Sequence, residues 1–102
     1  MEVESWDIFE DGPLTEASLR NKLESLGYKV TRYSYPPGMY FGPHRHDVDK
    51  IDAVLSGYFR ITMGGESVVL EPGDYVHVPR GVEHSAEAVG EGPVVSLDAV
   101  KK

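Results

Sequence analysis

Residues 38–57 read Gly38-Met-Tyr-Phe-Gly-Pro43-His44-Arg45-His46-Asp47-Val48-Asp49-Lys50-Ile51-Asp52-Ala53-Val54-Leu55-Ser56-Gly57. This stretch holds two of the four histidines of the chain, one residue apart. Because alternate side chains of an extended strand point to the same side, His44 and His46 can project together. The pair is therefore a candidate for two ligands of one divalent metal ion.

A second stretch supplies a third histidine. Residues 73–88 read Gly73-Asp-Tyr-Val-His-Val-Pro79-Arg-Gly81-Val-Glu-His84-Ser-Ala-Glu-Ala88. If the strand that carries His84 lies beside the first stretch, His84 can join the other two histidines. Three neutral imidazoles would leave one to three coordination positions open on the metal. His77 has no such partner by spacing, and we expect a packing or surface histidine there.

The rest of the chain indicates a β fold preceded by one helix. Leu19, Leu23 and Leu26 recur at helical spacing after a possible N-cap at Thr15, which predicts an amphipathic helix over residues 15–26. After Gly27, short apolar runs alternate with glycine and proline turns, a pattern typical of an all-β sandwich or small barrel. The predicted strands are Tyr28–Tyr35, Met39–Gly42, Ile51–Leu55, Tyr58–Met63, Ser67–Leu70, Tyr75–Pro79, Val82–Ala88 and Val94–Val100.

Length and composition limit the domain organisation and the partners. A chain of 102 residues fits one structural domain, with residues 1–27 as an extension and helix and residues 28–102 as the barrel. The net charge of −7 disfavours nucleic acid and anionic membrane surfaces as partners. No cysteine is present, which excludes disulfides, thiol catalysis and sulfur-ligated zinc.

The acidic N-terminus does not resemble a secretory signal, and no apolar run could span a bilayer, so we expect a cytoplasmic protein. Trp6, Ile8 and Phe9 in the lead-in are expected to dock on the main body.

Both histidine stretches resemble the conserved motifs of the cupin family. The glycines, histidines and proline fall at the family spacing in each stretch: Gly38, His44, His46 and Gly57 in the first, and Gly73, Pro79, Gly81 and His84 in the second. The resemblance covers about residues 28–100. It implies a double-stranded β-helix, the jelly-roll barrel, usually as a homodimer with a metal near its centre. It carries His44, His46 and His84 over as metal ligands.

The chain departs from the family pattern at two positions. Position 50, where the family has a glutamate as fourth metal ligand, is Lys50, and position 88, a turn asparagine, is Ala88. A charged ammonium donates hydrogen bonds and cannot ligate a metal. The resemblance therefore supplies three histidine ligands and no carboxylate.

The orientation of Lys50 can be argued in two ways. Alternation of Ile51, Ala53 and Leu55 would place these residues in the core and Lys50 in solvent. The family register instead places Lys50 inside the barrel, on the same face as Asp52, and we expect this inward orientation.

A buried ammonium needs a partner, and Asp52, Asp49 or Asp47 could form an ion pair with it. One of these acids could alternatively replace the missing glutamate as a metal ligand, which would require a shifted loop or a bulge.

Three kinds of function fit these residues. The first is an enzyme with a divalent transition metal (Fe, Zn, Ni or Mn) that acts on a small anionic metabolite by dioxygenase-like or isomerase-like chemistry. Lys50 and Asp52 would be its catalytic residues, one attracting the anion and the other moving a proton. The second is a non-enzymatic module that binds a small ligand. The third is an accessory protein in which a Lys50–Asp52 ion pair replaces the metal.

Overall fold

The computed structural model describes all 102 residues and consists mainly of β-strands. Its elements are β1 (Val3–Glu4), α1 (Ile8–Asp11), α2 (Glu16–Ser25), β2 (Tyr28–Tyr35), β3 (Tyr40–His44), β4 (Lys50–Ser56), β5 (Tyr58–Met63), β6 (Glu66–Leu70), β7 (Tyr75–Val78), β8 (His84–Val89) and β9 (Val94–Lys101). The eight predicted strands and the main helix are present, with ends that differ from the prediction by at most two residues. Only β1 and α1 have no counterpart in the sequence prediction.

The strands form two antiparallel sheets. The five-stranded sheet has the order β1-β7-β4-β9-β2, and the four-stranded sheet has the order β3-β8-β5-β6. Neighbouring strands in each sheet are mostly distant in sequence, as in a jelly roll. The predicted all-β jelly-roll barrel is confirmed.

Two apolar clusters hold the layers together. The first joins the inner faces of both sheets and includes Val54, Val76 and Ile61. The second joins α2 to the outer face of the five-stranded sheet, where Leu19 and Leu23 are fully buried. Its members from the strands are Tyr28, Val30, Ile51, Ala53, Leu97 and Ala99.

The second cluster explains the alternation in β4. Ile51 and Ala53 are fully buried, but they lie under α2 on the outside of the barrel. Lys50 and Asp52 consequently occupy the inward face. A strand with apolar residues on its outer face and polar residues on its inner face is the reverse of the usual pattern, and the helix makes it stable.

The N-terminal segment is attached to the barrel through backbone pairing and side-chain packing. β1 pairs with β7, and the Trp6 ring packs against the second cluster while its Nε1 donates to the carbonyl of Gly12 at 2.8 Å. The expectation that Ile8 and Phe9 dock is wrong, because their side chains are 61% and 97% exposed. Both lie in α1, a single helical turn with no buried residue.

The helix α2 follows its predicted signals. The Thr15 side chain accepts from the Ser18 amide, and the Ser18 hydroxyl accepts from the Thr15 amide, which closes a capping box. Gly27, with φ of 93°, takes the left-handed conformation just past the helix end. Neither helix has the length and apolar character needed to cross a membrane.

Two motif glycines are required by close packing as well as by backbone conformation. Gly57 has φ of 82°, and a Cβ at this position would overlap the carbonyl oxygen of Pro93. Gly73 has φ of 92°, and its Cβ would lie 2.6 Å from the Cβ of Trp6. Any side chain at either position would force the backbone apart.

Candidate metal centre

The three predicted ligand histidines meet at one end of the four-stranded sheet. His44 on β3 lies directly opposite His84 on β8 in the strand register, after an irregularity between Phe41 and His44. His46 lies two residues beyond β3, and its carbonyl accepts from the Gly81 amide at 2.8 Å. The turn that precedes β8 therefore fixes the loop that carries His46.

The imidazole rings are close enough to share one ion. Their centroids are separated by 4.8 Å for His44–His46, 4.2 Å for His44–His84 and 5.2 Å for His46–His84. One ligand nitrogen from each ring lies within 4.8 Å of the others. Ligand nitrogens about 2.1 Å from a common metal lie about 3 to 4 Å apart, so a small side-chain adjustment would complete the site.

Backbone carbonyls set the tautomers of two of these histidines. Nδ1 of His44 lies 2.6 Å from the carbonyl of Gly42, and Nδ1 of His84 lies 3.1 Å from the carbonyl of Val82. A carbonyl can only accept, so each Nδ1 carries the hydrogen and each Nε2 is left as the free donor atom. Metal-binding histidines are commonly oriented in this way.

The environment of His46 and His84 favours the neutral form of these two rings. Burial lowers the pKa of His84, an effect that the hydrogen bond to Val82 partly offsets. Burial also lowers the pKa of His46, with a further contribution from the charge of Lys50. Neutral imidazoles are the form that binds a metal, so these shifts support metal binding near neutral pH.

Lys50, Asp52 and Asp98 face the histidines from the five-stranded sheet. Lys50 lines the cavity between the sheets, the inward orientation that the family register implies. Its Nζ lies 2.8 Å from Oδ2 of Asp98 on β9, and both side chains are largely buried, with 12% and 19% exposed. The ion pair is therefore formed with Asp98.

The expected partners Asp52, Asp49 and Asp47 do not form this ion pair. Asp98 lies diagonally across from Lys50 on the adjacent strand β9 and accepts from its Nζ, whereas no hydrogen bond joins Lys50 and Asp52. Asp49 accepts from the Arg80 amide at 2.8 Å, and Asp47 is exposed. No carboxylate belongs to the histidine group, so a replacement ligand for the missing glutamate is not seen.

Asp52 is the least compensated charge in the cavity. It is 8% exposed, lies directly opposite Asp98 in the register and has no hydrogen-bond partner in the protein. Burial raises its pKa to about 6, and the charge of Asp98 adds to the rise, while Lys50 and His44 oppose it. A carboxyl group with this pKa can take up or release a proton close to neutral pH.

The cavity between the three histidines and the charged residues Lys50, Asp52 and Asp98 has a volume of about 170 Å³ and opens to solvent. Besides the histidines and the charged residues, its wall contains four apolar or aromatic residues and one serine: Tyr35, Phe41, Phe59, Ala86 and Ser96. The cavity is therefore lined by charged and metal-binding side chains on one part of its wall and by apolar side chains on the other.

Sequence reasoning missed Asp98 and the two phenylalanines of this cavity, Phe41 and Phe59. A signal for Asp98 exists, because Ser96 and Asp98 interrupt the apolar strand Val94–Val100 with a period of two. That pattern is equally typical of a strand with one solvent-exposed face. The exposed His77, whose Nε2 is hydrogen-bonded to the Tyr28 hydroxyl, lies outside the site as expected.

Comparison with known proteins agrees with this architecture. A curated relative is the bifunctional lysine-specific demethylase and histidyl-hydroxylase NO66 of Branchiostoma floridae, 39% identical over 61 residues. The match covers 56% of this chain and a tenth of that protein. The whole relative is thus far longer than the shared region.

Solved structures with the same fold come from several bacteria. A conserved protein of unknown function from Streptococcus pyogenes superposes with a TM-score of 0.66 and 28% identity, over 74% of this chain and 65% of that one. KdgF from Halomonas sp. gives a TM-score of 0.65 and 26% identity, over 74% and 70% of the two chains. The DMSP lyase DddQ of Ruegeria pomeroyi gives 0.65 and 27%, over 74% and 39%.

The family assignment follows from a direct match to a family model. Residues 31–100 match the model described as Cupin domain. This range includes all three histidines, Lys50, Asp52 and Asp98, and it covers more than half of the chain. The chain therefore belongs to the cupin family.

Proposed function

We propose that this protein is a metal-dependent enzyme that moves a proton on a small anionic metabolite. His44, His46 and His84 would hold a divalent transition metal, such as Fe, Zn, Ni or Mn. One observation carries the proposal: the histidine group faces, across one cavity, the largely buried carboxyl of Asp52, whose pKa is raised to about 6. A group that binds a Lewis acid and a group that exchanges a proton are the two parts that such a reaction needs.

The donor set fits such a metal. Three imidazole nitrogens suit Zn, Fe and Ni, and a three-ligand set leaves positions for substrate. When bound, the metal would polarise a carbonyl or carboxylate oxygen of the substrate.

Each residue of the opposite side then has a role. Asp52 in its ionised form would accept a proton from the carbon next to the polarised group and could return it to another carbon. Lys50, held in place by Asp98, would attract the anion and stabilise the negative charge that develops. Lys50 and Asp52 are the proposed catalytic residues, and Asp98 is a positioning residue. The name of the structural neighbour DddQ, a lyase, agrees with proton-transfer chemistry of this class.

An oxidative reaction at iron is a second candidate. The three-histidine set leaves room for both a chelating substrate and dioxygen, and the relative from Branchiostoma floridae is named a demethylase and hydroxylase. In this reaction Asp52 would not be needed to move a proton.

A non-enzymatic binding or accessory role is the third candidate. The Lys50–Asp98 ion pair supports it, because it satisfies two buried charges with no metal. The accessory role predicts that the protein remains free of metal after every reconstitution.

Metal analysis followed by isotope exchange would test the proposal. The untagged protein, reconstituted separately with Fe²⁺, Zn²⁺, Ni²⁺ and Mn²⁺, is expected to retain about one ion per chain. The H44A/H84A variant should retain none, and the matched control H77A should behave as wild type. Failure to bind any of the four ions would contradict the proposal.

The loaded protein is then incubated with small 2-oxo and 2-hydroxy carboxylates in D₂O. We expect deuterium incorporation at carbon, detected by NMR, and a loss of about 10²- to 10⁴-fold in D52N with unchanged metal content. Oxygen consumption by the iron form that is insensitive to D52N would favour the oxidative candidate instead.

The homodimer and the cytoplasmic location belong to the proposal as well. The exposed Phe9 and Tyr40 side chains, 97% and 59% accessible, are apolar surfaces that a partner copy could cover. Analytical ultracentrifugation gives the oligomeric state directly, and a single species at 11.3 kDa would contradict the dimer.

A further inference from the structure

The cavity changes from polar to aromatic along the strands of the four-stranded sheet. His44 lies opposite His84, Phe41 lies opposite Ala86, and Phe59 lies opposite Ala88. The histidines therefore occupy one layer, and the two phenylalanines occupy the layers that follow. A ligand whose head lies at the histidines would extend toward the phenylalanines.

Tyr35 from the facing sheet completes an aromatic wall. Its ring lies 4.9 Å from Phe41 in an edge-to-face arrangement and 5.6 Å from Phe59 in a stacked one. The Phe41 and Phe59 rings are 6.4 Å apart, also edge to face. The Tyr35 hydroxyl is the only polar group in this wall. An apolar ligand body would bury surface here, whereas a charged group would find almost no hydrogen-bond partner.

The charges lining the cavity allow one negative charge on the ligand. Asp52 and Asp98 against Lys50 leave a net charge of −1 when both acids are ionised. A divalent ion on neutral imidazoles changes this to +1. The net charge of +1 would compensate one anionic group of a ligand but not a second one. Without the metal, the net charge of −1 would repel an anionic ligand.

The volume limits the size of the ligand. An apolar protein cavity of about 150 Å³ holds a benzene ring. The cavity here, at about 170 Å³, is only slightly larger and must also take the head group.

We propose that the site takes small monocarboxylates with a compact apolar body of about three to six carbons. The carboxylate would lie between the metal position and Lys50, and the body would lie against Tyr35, Phe41 and Phe59. This inference rests on the metal site proposed above.

Calorimetric titration of the Zn²⁺-loaded protein would test the proposal. The probes are benzoate, its neutral analogue benzamide, and the matched pair butanoate and succinate. We expect benzoate and butanoate to bind at least about tenfold more tightly than benzamide and succinate. Benzamide lacks the charge that the metal and Lys50 would compensate, and the second carboxylate of succinate would be buried without a partner. Without Zn²⁺, benzoate binding should be lost.

Two variants connect the selectivity to the aromatic wall. F41L keeps most of the volume and should fold; it is expected to weaken benzoate about tenfold while Zn²⁺ affinity and acetate binding stay unchanged. Y40A, on the exposed side of the same strand, is the matched control and should behave as wild type.

The outcomes separate this inference from the proposed function. Normal Zn²⁺ binding together with equal affinity for butanoate and succinate, or with no effect of F41L on benzoate, would overturn the substrate class alone. A protein that binds none of Fe²⁺, Zn²⁺, Ni²⁺ and Mn²⁺ would overturn both.

Discussion

The cavity has two polar sides that are built in opposite ways. The histidine wall (His44, His46 and His84) consists of imidazole rings, two of them oriented by backbone carbonyls. The acid–lysine wall (Lys50, Asp52 and Asp98) consists of charged groups that depend on one another. Uncharged ligands can be buried with little loss of stability before a metal binds. Burial of charged groups, in contrast, carries a desolvation penalty that lowers the stability of the folded protein. Changes in the first wall should therefore alter metal binding, and changes in the second should alter stability.

The largest expected effect is the loss of one ligand from the histidine wall. H46A should weaken Zn²⁺ binding by more than about 100-fold, since substitutions of groups that only orient ligands already cost about 10- to 100-fold. D98N, on the other wall, should change the affinity by less than about fivefold. Competition with a chromophoric chelator measures both. Similar losses in the two variants would mean that the walls do not divide their roles in this way.

Removing the only positive charge of the acid–lysine wall should have the next largest effect. In K50M, Asp52 and Asp98 face each other without compensation, and we expect the free energy of unfolding to fall by about 3 kcal/mol at pH 7. The double variant K50M/D98L should recover most of this loss, because it removes the uncompensated charge together with its partner. Urea denaturation of the metal-free wild type, K50M, D98L and K50M/D98L gives the coupling energy between Lys50 and Asp98. Additive effects of the two substitutions would show that the ion pair is not energetically coupled.

The two walls also differ in how far sequence could predict them. The histidine wall and the jelly roll were predictable, because the ligands fall within two short stretches whose spacing matches a known family. Asp98 lies on the last strand, 48 residues after Lys50, and reaches it only through the register that places Asp98 opposite Asp52. No local pattern encodes that register.

Long-range packing also explains why the alternation in β4 wrongly indicated that Lys50 points to solvent. Ile51 and Ala53 are buried because α2 covers the outside of the sheet, and no feature of β4 itself indicates that a helix will lie there. Long-range packing therefore decided both the orientation of Lys50 and its partner.

The unfavourable burial of charge in the acid–lysine wall should make the free energy of unfolding depend on pH. The pKa of Asp52 is raised from 3.8 to about 6, so the folded state binds a proton more tightly than the unfolded state. Wild-type stability from this group is complete below pH 3.8 and is lost as the pH rises through about 6. D52N removes the ionisation and should be more stable than wild type at pH 7 by up to about 3 kcal/mol.

The pH series contains its own control. The difference between D52N and wild type should shrink steadily below pH 6 and vanish near pH 4. Denaturation of both metal-free proteins at pH 4, 5, 6 and 7 measures it. A difference that is independent of pH, or a variant that is less stable at pH 7, would contradict the raised pKa and the proton-exchange role that depends on it.

The smallest expected effect concerns the rim of the histidine wall. Arg45 and Glu83 flank the histidines and form an ion pair at 3.1 Å, with 64% and 58% of their side chains exposed. Exposed pairs are screened by water and salt, so E83Q should change the free energy of unfolding by less than about 0.5 kcal/mol. The Zn²⁺ affinity should stay within about twofold of wild type at both 0.05 and 0.5 M NaCl, because neutral rings held by carbonyls do not need a charged rim. A salt-dependent loss of metal in E83Q would mean that the histidine wall, like the acid–lysine wall, is held together by charge.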